Sequence, residues 1–440
     1  MARVLIVGGG FGGVVAAESL AKRLGNEHEI TLVSRSRKFL FYPALVRFAF
    51  GQYHVEDISF DLRKAMLDRR IRFVEGEVAR INPHERHVTL AHGDLVGEIP
   101  YDFLILALGR RLATERVTGF FENAHHLLGI DAAKKFGHAI RSFHQGHAVI
   151  GYCPGARLPI PVFETAFALS RLLKEQGERD SCTISILSNE TPDEMFGGAK
   201  VSAALRDVLD FHRIEFVSDF TINQVTPNSV VANDGRALDC NLRMIIPPFR
   251  GPGAMLGTEI TEEDGYVRVD TTMQLSNMER TYAVGDCVDF QGPKLGHMAV
   301  RQGKVAAENL AAEIEGHALS AVYDHQMMLV IDAAGPDSIF VRKNLWSEYP
   351  ADIKQGKFWA WAKRMEKRYW KAQQHESPME IFKSEFHSVA LCHAHLLASS
   401  PPPPLKSRAF AGASLRQKRK SSRRPRDSAQ LNLTCIPNFN

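Results

Sequence analysis

The 440-residue sequence predicts an α/β fold on three observations. Short apolar runs typical of buried parallel strands alternate with segments that have helical apolar spacing. A glycine-rich turn directly follows the first of these runs, at residues 8–13. Hydrophobic residues make up 45% of the chain and charged residues 24%, which is the balance of a globular protein with a sizeable core. The length corresponds to roughly two or three domains.

The predicted elements start at the N-terminus with a βαβ unit of about 30 residues. Residues 3–7 (Arg-Val-Leu-Ile-Val) predict a buried strand, residues 14–24 a helix and residues 30–33 a second strand. Similar patterns predict further strands at 71–74, 103–108, 148–150, 183–187 and 244–246, and helices at 162–175, 200–212 and 300–315. Strands that alternate with helices favour parallel sheets.

Two segments in which a strand runs into a turn, at residue 3 and at residue 147, predict two Rossmann-like domains. The first domain is expected to comprise residues 1–115 and a returning segment at 265–335. The second is expected to comprise residues 116–264. Residues 336–376 contain all four tryptophans and form a separate region. Residues 385–440, rich in Pro, Ser, Lys and Arg, are predicted to be disordered.

The net charge of +4 arises from the C-terminal tail, because residues 401–440 contain nine Lys/Arg and one Asp. The remaining chain is mildly acidic, so we expect no nucleic-acid partner. The six cysteines have neither C-x-x-C nor zinc spacing, so we expect no metal site. The sequence has no apolar run of about 18 residues and no signal-peptide pattern, which favours a cytoplasmic location without a spanning helix.

The first glycine-rich turn has the G-x-G-x-x-G pattern, with Gly8, Gly10 and Gly13 between a strand and a helix. The first glycine permits the tight turn, the second lets a pyrophosphate approach the backbone, and the third packs the helix against the strand. The helix N-terminus adds unpaired N–H groups and a favourable dipole. The turn, including Phe11, therefore predicts dinucleotide binding.

One departure from this pattern follows the second strand. An acidic residue is expected there to hold the ribose hydroxyls, but the sequence has Ser34-Arg35. A serine hydroxyl can still hydrogen-bond to ribose, so the site is weakened and not abolished.

The second turn, at residues 147–155, is less suited to a nucleotide. Cys153 occupies the second glycine position, and no third glycine follows in register. Pro159 and Pro161 remove N–H donors that an anion would need. We therefore expect NAD(P)H binding by the second domain to be disfavoured.

Gly285-Asp286 follows a predicted strand. We interpret Asp286 as an acceptor for the ribityl chain of a flavin, and the alternative is an ordinary turn in which Gly285 supplies a positive φ.

Together these motifs resemble those of the two-dinucleotide-binding-domain flavoproteins, the pyridine nucleotide-disulfide oxidoreductase superfamily. Within it the chain is similar to sulfide:quinone oxidoreductases and type II NADH dehydrogenases, over about residues 1–375. Residues 36–51, 107–109 and 293–298 also look like family segments. The resemblance implies noncovalent FAD, bound by Gly8, Gly10, Phe11, Gly13, Ser34, Arg35, Pro43, Val78, Leu108, Gly109, Gly285, Asp286 and Lys294.

The resemblance also implies roles in catalysis. Lys294 would lie by the flavin pyrimidine edge and stabilise the reduced flavin, and the alternative is a surface lysine. Glu164 is a candidate proton relay, and the alternative is a solvated surface glutamate. A quinone pocket would be bounded by His297, Met298 and residues 340–370.

Two departures concern the redox cysteines of the sulfide:quinone branch, because Leu158 and Leu329 stand at the matching positions. Neither leucine can perform thiol chemistry. Cys153 is a candidate substitute nucleophile, although a buried cysteine is more often a small hydrophobe.

Residues 356–371 predict an interfacial helix. Phe358, Trp361, Ala362, Met365 and Tyr369 share one face, and Lys and Arg residues surround them. This pattern is typical of a helix lying on anionic lipid. The alternatives are a helix docked on its own core or on a homodimer partner.

The predicted fold is thus two Rossmann-like dinucleotide-binding domains plus a C-terminal membrane-associating helical region. The predicted function is electron transfer from a soluble donor, which the sequence does not identify, through FAD to a quinone. It would take place peripherally at the cytoplasmic face of the inner membrane. NADH:quinone oxidoreduction and flavin binding without turnover are the alternatives.

Overall fold

Strands and helices alternate along the computed structural model, which describes residues 1–196, 198–333, 338–359 and 361–363. The strands are Arg3–Val7, Glu29–Ser34, Lys38–Leu40, Ser59–Asp61, Arg72–Asn82, His87–Gly93, Gly97–Pro100, Phe103–Leu106, Arg111–Leu112, Gly146–Tyr152, Cys182–Leu187, Ile214–Val217, Ile222–Val225, Ser229–Ala232, Ala237–Asp239, Leu242–Ile246, Phe249–Arg250, Gln274–Leu275, Met278–Ala283, Gln326–Ile331, Ile339–Asn344 and Asp352–Gln355. The α-helices are Phe11–Leu24, Leu45–Ala49, Val55–Ile58, Leu62–Leu67, Phe120–Asn123, Ile130–Arg141, Ile160–Glu175, Pro192–Phe196, Ala199–Phe211 and Gly296–Ile314.

The larger sheet, here called the first sheet, has five parallel strands at its centre, in the order Met278–Ala283, Phe103–Leu106, Arg3–Val7, Glu29–Ser34 and Arg72–Asn82. The central strand is buried over residues 4–7, as its unbroken run of Val, Leu and Ile requires in a sheet covered on both faces. Thr281 pairs with Leu104, so a late segment of the chain joins the N-terminal sheet.

The second sheet is fully parallel, in the order Ile214–Val217, Cys182–Leu187, Gly146–Tyr152 and Leu242–Ile246. The sequence-based expectation of an α/β fold with Rossmann-like sheets is therefore confirmed. Parallel sheets bind ligands outside the carboxyl ends of their strands, so the two glycine-containing turns lie where a nucleotide site is expected.

A third, antiparallel sheet contains Gln326–Ile331, Ile339–Asn344 and Asp352–Gln355. The sequence predicts one separate helical region over residues 336–376, but the structure places two strands in its first part. The reason is a buried β-branched and aromatic run at Ile339, Phe340 and Val341. Helical residues begin at 357, and residues 364–376 and 385–440 lie outside the described part of the chain.

The described helices are all too short or too polar to cross a lipid bilayer.

Candidate functional site

The first glycine-rich turn combines two packed glycines. A Cβ on Gly8 would lie 2.0 Å from the Ala107 carbonyl oxygen, and one on Gly13 would lie 1.9 Å from the Gly8 oxygen. The φ of Gly8 is +118°, which other residues rarely adopt. These two positions therefore fix the close approach of helix Phe11–Leu24 to the first sheet.

Gly10 differs from its neighbours because no atom lies within 4 Å of the place where its Cβ would be. It immediately precedes helix Phe11–Leu24, whose first N–H groups have no partner inside the helix. The turn thus provides open space beside unpaired donors and the positive end of the helix dipole, which suits a phosphate group. The Phe11 ring packs edge-on against Phe39 and Phe41, with centroids 5.0 and 5.8 Å away.

Ser34 lies against the same turn, because a Cβ on Gly9 would lie 2.5 Å from its hydroxyl oxygen. The Ser34 hydroxyl donates to the Ser36 carbonyl oxygen at 2.9 Å, and Arg35 is exposed. The hydroxyl is therefore engaged in its own loop, and its role toward a ribose stays a prediction.

Asp286 lies in a short 3₁₀ turn, Gly285–Cys287, directly after strand Met278–Ala283. Gly285 has a φ of +80°, and its N–H donates to the Gln302 side-chain oxygen at 2.6 Å. The Asp286 carboxylate is paired with the Arg110 guanidinium. The Asp286 carboxylate thus accepts from Arg110 at the end of the first sheet, and its role toward a ribityl chain stays a prediction.

Sequence reasoning missed Arg110. It follows Gly109 at the carboxyl end of strand Phe103–Leu106, and its guanidinium carbon lies 4.2 Å from the centre of the Phe249 ring. Its Nε is buried and has no hydrogen-bond partner among the residues that the structure describes. Burial lowers the pKa of Arg110 to about 10, with Tyr42 and Tyr266 acting in the opposite direction. Its position just after a parallel strand was the signal that could have identified it.

Lys294 is buried, so the alternative interpretation as a surface lysine is wrong. Its Nζ donates to the Val288 carbonyl oxygen, and the Phe290 oxygen lies 3.5 Å away. The same atom lies 5.1 Å from the centre of the Tyr266 ring. Burial lowers the pKa of Lys294 well below its ordinary value, so an anion placed beside this amine would favour its protonated form.

A small cleft is lined by Gly285, Asp286, Lys294, Leu295 and Met298, among others. The structure therefore brings together Asp286 and Lys294, which the sequence separates by a proline-containing loop. The other predicted residues lie elsewhere: the exposed Pro43 in the turn Tyr42–Ala44, Val78 in strand Arg72–Asn82, and Leu108 and Gly109 just after strand Phe103–Leu106.

Glu164 lies in helix Ile160–Glu175 and is buried, so it is not a solvated surface glutamate. Its carboxylate accepts the Asp332 N–H at 3.0 Å and is paired with Lys363. Burial raises the pKa of Glu164, against the opposing effect of Lys363. Asp332 is in turn paired with Arg47. Burial and the nearby Asp332 carboxylate thus favour the protonated form of Glu164, and Lys363 favours the ionised form.

Cys153 lies in the second domain, in a hydrophobic cluster with Val149, Leu187 and Phe220. Its side chain is fully buried, and burial raises the pKa of its thiol to about 12. The reactive form of a cysteine is the thiolate, so these surroundings oppose the nucleophilic role and favour the alternative of a small hydrophobe.

His297 supports the third sheet. Its Nε2 accepts the Met328 N–H at 3.1 Å, and burial lowers the pKa of the ring to about 4, despite the nearby Gln326 carbonyl oxygen. The ring therefore holds helix Gly296–Ile314 beside strand Gln326–Ile331. A place in the wall of a quinone pocket stays a prediction for this residue.

We expect acid to destabilise the protein through His297. Between about pH 6.5 and pH 4 the ring is protonated in the unfolded state and neutral in the folded state. The free energy of unfolding therefore falls as the pH falls. The free energy of unfolding, measured in urea at pH 7 and pH 5, should drop by up to roughly 2 kcal/mol through this residue. His297→Gln should lose that part of the pH dependence and His92→Gln, at an exposed position, should keep it. An unchanged pH dependence in His297→Gln would contradict the assignment.

The aromatic residues near the end of the described chain divide into two groups. Trp359 is 7% exposed and stacks on Phe340, with ring centroids 4.2 Å apart. Phe358 and Trp361 are 42% and 52% exposed. Lys363, predicted as part of the basic surround, instead donates to the Val330 carbonyl oxygen at 3.0 Å and pairs with Glu164. Met365 and Tyr369 lie outside the described residues.

The chain is similar to a known protein family and to individual members of known function. The sequence model of the family described as pyridine nucleotide-disulphide oxidoreductase matches residues 2–303. A sulfide-quinone reductase of Aquifex aeolicus is 26% identical over 336 residues, which cover 71% of this chain and 77% of that protein. A type II NADH:quinone oxidoreductase of Haemophilus influenzae is 24% identical over 406 residues, which cover 81% of this chain and 90% of that protein.

Among solved structures, the sulfide:quinone oxidoreductase of Aquifex aeolicus superposes with a TM-score of 0.79 at 22% sequence identity. The alignment covers 86% of this chain and 92% of that one. At this identity the likeness concerns the fold alone.

Proposed function

The chain belongs to the pyridine nucleotide-disulphide oxidoreductase family, whose members are FAD-dependent oxidoreductases, and on this premise we propose that it is an FAD-dependent quinone reductase supplied by a soluble electron donor. The observation that carries the proposal is the open space at Gly10, at the start of a helix and at the same sheet edge as Asp286. The names of the relatives, sulfide-quinone reductase and type II NADH:quinone oxidoreductase, support the quinone as acceptor.

The residues present fit FAD. The space at Gly10 suits the pyrophosphate, and a side chain at that position would fill it. Asp286 would accept hydrogen bonds from the ribityl hydroxyls, and the buried Nε of Arg110 is a donor without a partner in the described part of the chain. When bound, FAD accepts electrons from a donor and passes them to a second substrate.

Two side chains of this protein would handle charge and protons in that reaction. Lys294 would bind the negative charge of the reduced cofactor, because its buried amine gains most from an anionic neighbour. Glu164 would hold a proton on its carboxyl group and release it toward the acceptor, because burial favours the neutral form.

Binding of NADH by the second domain is disfavoured by the geometry of its turn. The Cys153 N–H donates to the Ile246 oxygen at 2.9 Å, and the Ala156 N–H donates to the Cys153 oxygen at 3.0 Å. These amides are therefore engaged within the protein. Helix Ile160–Glu175 has Pro159 as its N-cap residue and a further proline in its first turn, so it offers few donors to a pyrophosphate.

The proposed membrane contact is made by the exposed aromatic pair Phe358 and Trp361, at the cytoplasmic face of the inner membrane. A quinone partitions into lipid, so a reductase that rests on the bilayer shortens the path to its substrate. Aromatic side chains at headgroup depth are typical of such contacts.

We expect the two groups of aromatic residues to respond differently to substitution. The Phe358→Ser/Trp361→Ser variant should bind anionic liposomes at least about tenfold more weakly, with thermal stability nearly unchanged. Trp359→Ala is the matched control, because loss of its stacking on Phe340 should cost roughly 3 kcal/mol of stability. Deletion of 336–376 would be a poorer test, because it removes two strands. Equal liposome flotation of wild type and the double serine variant would contradict the proposed contact.

The proposed function predicts that bound flavin, once reduced, is reoxidised by quinone under anaerobic conditions. Purified protein is first reduced with dithionite and mixed with a short-chain ubiquinone, and the recovery of flavin absorbance is followed. Rapid recovery supports the proposal, whereas a flavin that stays reduced indicates flavin binding without quinone turnover. Sulfide, polysulfide, NADH and NADPH are then compared as reductants, and bleaching by NADH alone would favour NADH:quinone oxidoreduction.

A further inference from the structure

We propose that Arg110 is a flavin-contacting residue that supplies the permanent positive charge of the redox site. The inference rests on the proposed function, since it concerns the FAD that this function requires. The inference assigns to Arg110 the stabilisation of the reduced flavin, which the family resemblance implied only for Lys294.

The first argument is the position of the guanidinium. Arg110 pairs with Asp286, the residue placed to receive the ribityl chain, and both residues follow neighbouring parallel strands of the first sheet. If FAD binds with its ribityl chain at Asp286, a side chain paired with that residue would be in reach of the cofactor. The guanidinium carbon also lies 4.2 Å from the centre of the Phe249 ring, and this contact helps to hold the guanidinium in place.

The second argument is an unmet hydrogen bond. The Arg110 Nε is buried and has no partner among the described residues. A buried donor left unpaired costs on the order of 1–3 kcal/mol. A ligand atom that accepts a hydrogen bond from this Nε would remove that cost, which favours a polar ligand beside Arg110.

The third argument concerns which cation stays charged. Lys294 is enclosed by carbonyl groups, and burial lowers the pKa of its amine well below the ordinary value. The pKa of Arg110 stays at about 10 in spite of burial, so its guanidinium is charged throughout the neutral range. The Asp286 carboxylate offsets part of this charge. In a site of low dielectric the remaining positive charge stabilises added negative charge, so it favours the reduced cofactor.

The test is the midpoint potential of the bound flavin, measured against reference dyes during slow chemical reduction without quinone or natural donor. Arg110→Gln should shift the potential in the negative direction, equivalent to at least about a tenfold loss in the equilibrium constant for reduction. Arg110→Lys, which keeps a charge, should shift it much less. If Arg110→Gln does not retain FAD, the difference in potential between wild type and Arg110→Lys is measured at pH 7 and at pH 9. It should be small at pH 7 and larger at pH 9, where a buried lysine loses its charge and arginine keeps it, and an equal difference at both pH values would contradict the inference.

Two results would overturn it. One is an Arg110→Gln protein that retains FAD at the wild-type potential, and the other is Arg110→Lys shifted as far as Arg110→Gln. Wild type that holds no FAD would instead defeat the proposed function, so the two failures are distinguishable. Arg110→Lys keeps a cation beside Asp286, so the comparison of the two variants separates the charge of residue 110 from the packing of its side chain.

Discussion

Gly10→Val should yield a folded protein that is nearly colourless, because the new side chain occupies the space reserved for the pyrophosphate. Nothing lies within 4 Å of the Cβ position in the free protein, so the substitution meets no clash of its own. The conflict arises only when FAD enters. We expect its affinity to fall at least about a hundredfold, equivalent to ~3 kcal/mol, measured as FAD retained per chain and by titration of the flavin-free protein.

Gly253→Val is the matched control, because Gly253 also has no atom within 4 Å of its Cβ position and lies in a different loop. This variant should keep its yellow colour and its FAD content. The melting temperatures of the two variants without FAD should be similar. If Gly10→Val binds FAD as tightly as Gly253→Val does, the assigned pyrophosphate site is wrong. A wild-type protein that is well folded but colourless would defeat FAD binding itself.

Sulfide should reduce the bound flavin at least about a hundredfold more slowly than dithionite does, in wild type and in Cys153→Ser alike. Attack on sulfur needs a thiolate, and a thiol with a pKa of about 12 is ionised in roughly one molecule in 10⁵ at pH 7. Leu158 and Leu329 offer no thiol, and Leu329 is buried in strand Gln326–Ile331. Stopped-flow absorbance under anaerobic conditions measures the rates.

The matched control for the sulfide experiment is Cys182→Ser, at another buried cysteine with no motif around it. Both serine variants should reduce within about twofold of the wild-type rate. Fast reduction that is lost only in Cys153→Ser would make Cys153 the working nucleophile. Fast reduction in all three proteins would mean that the leucine positions are misassigned or that sulfide reacts without a protein thiol.

The strands and the first glycine turn could be predicted because their causes are local. An uninterrupted apolar run such as residues 3–7 must be buried on both sides, and the crowded approach at Gly8 and Gly13 tolerates no side chain. The helices predicted at 162–175, 200–212 and 300–315 end within two residues of those observed, although their starts shift by up to four. The same local logic identified Asp286, because it stands directly after a buried strand.

The residues beyond 336 show where local patterns stop being informative. The helical spacing around Trp359 does not reveal which side of the helix meets the protein, since aromatic residues lie on more than one side. The stacking of Trp359 on Phe340 shows that this side chain faces the protein. In the same way, the sequence pattern predicts that Lys363 faces solvent. The structure instead pairs it with Glu164, which lies almost 200 positions earlier in the chain.

The sequence by itself determined the α/β class and the glycine-rich turn at residues 8–13, because both depend on neighbours within a few residues. Only the tertiary structure decided that Lys294 and Glu164 are buried, that Cys153 lies in a hydrophobic cluster, and that Arg110 pairs with Asp286. These properties depend on partners that are distant in the chain. Burial and pairing set charge and pKa, and residue spacing does not encode either when the partner comes from another element.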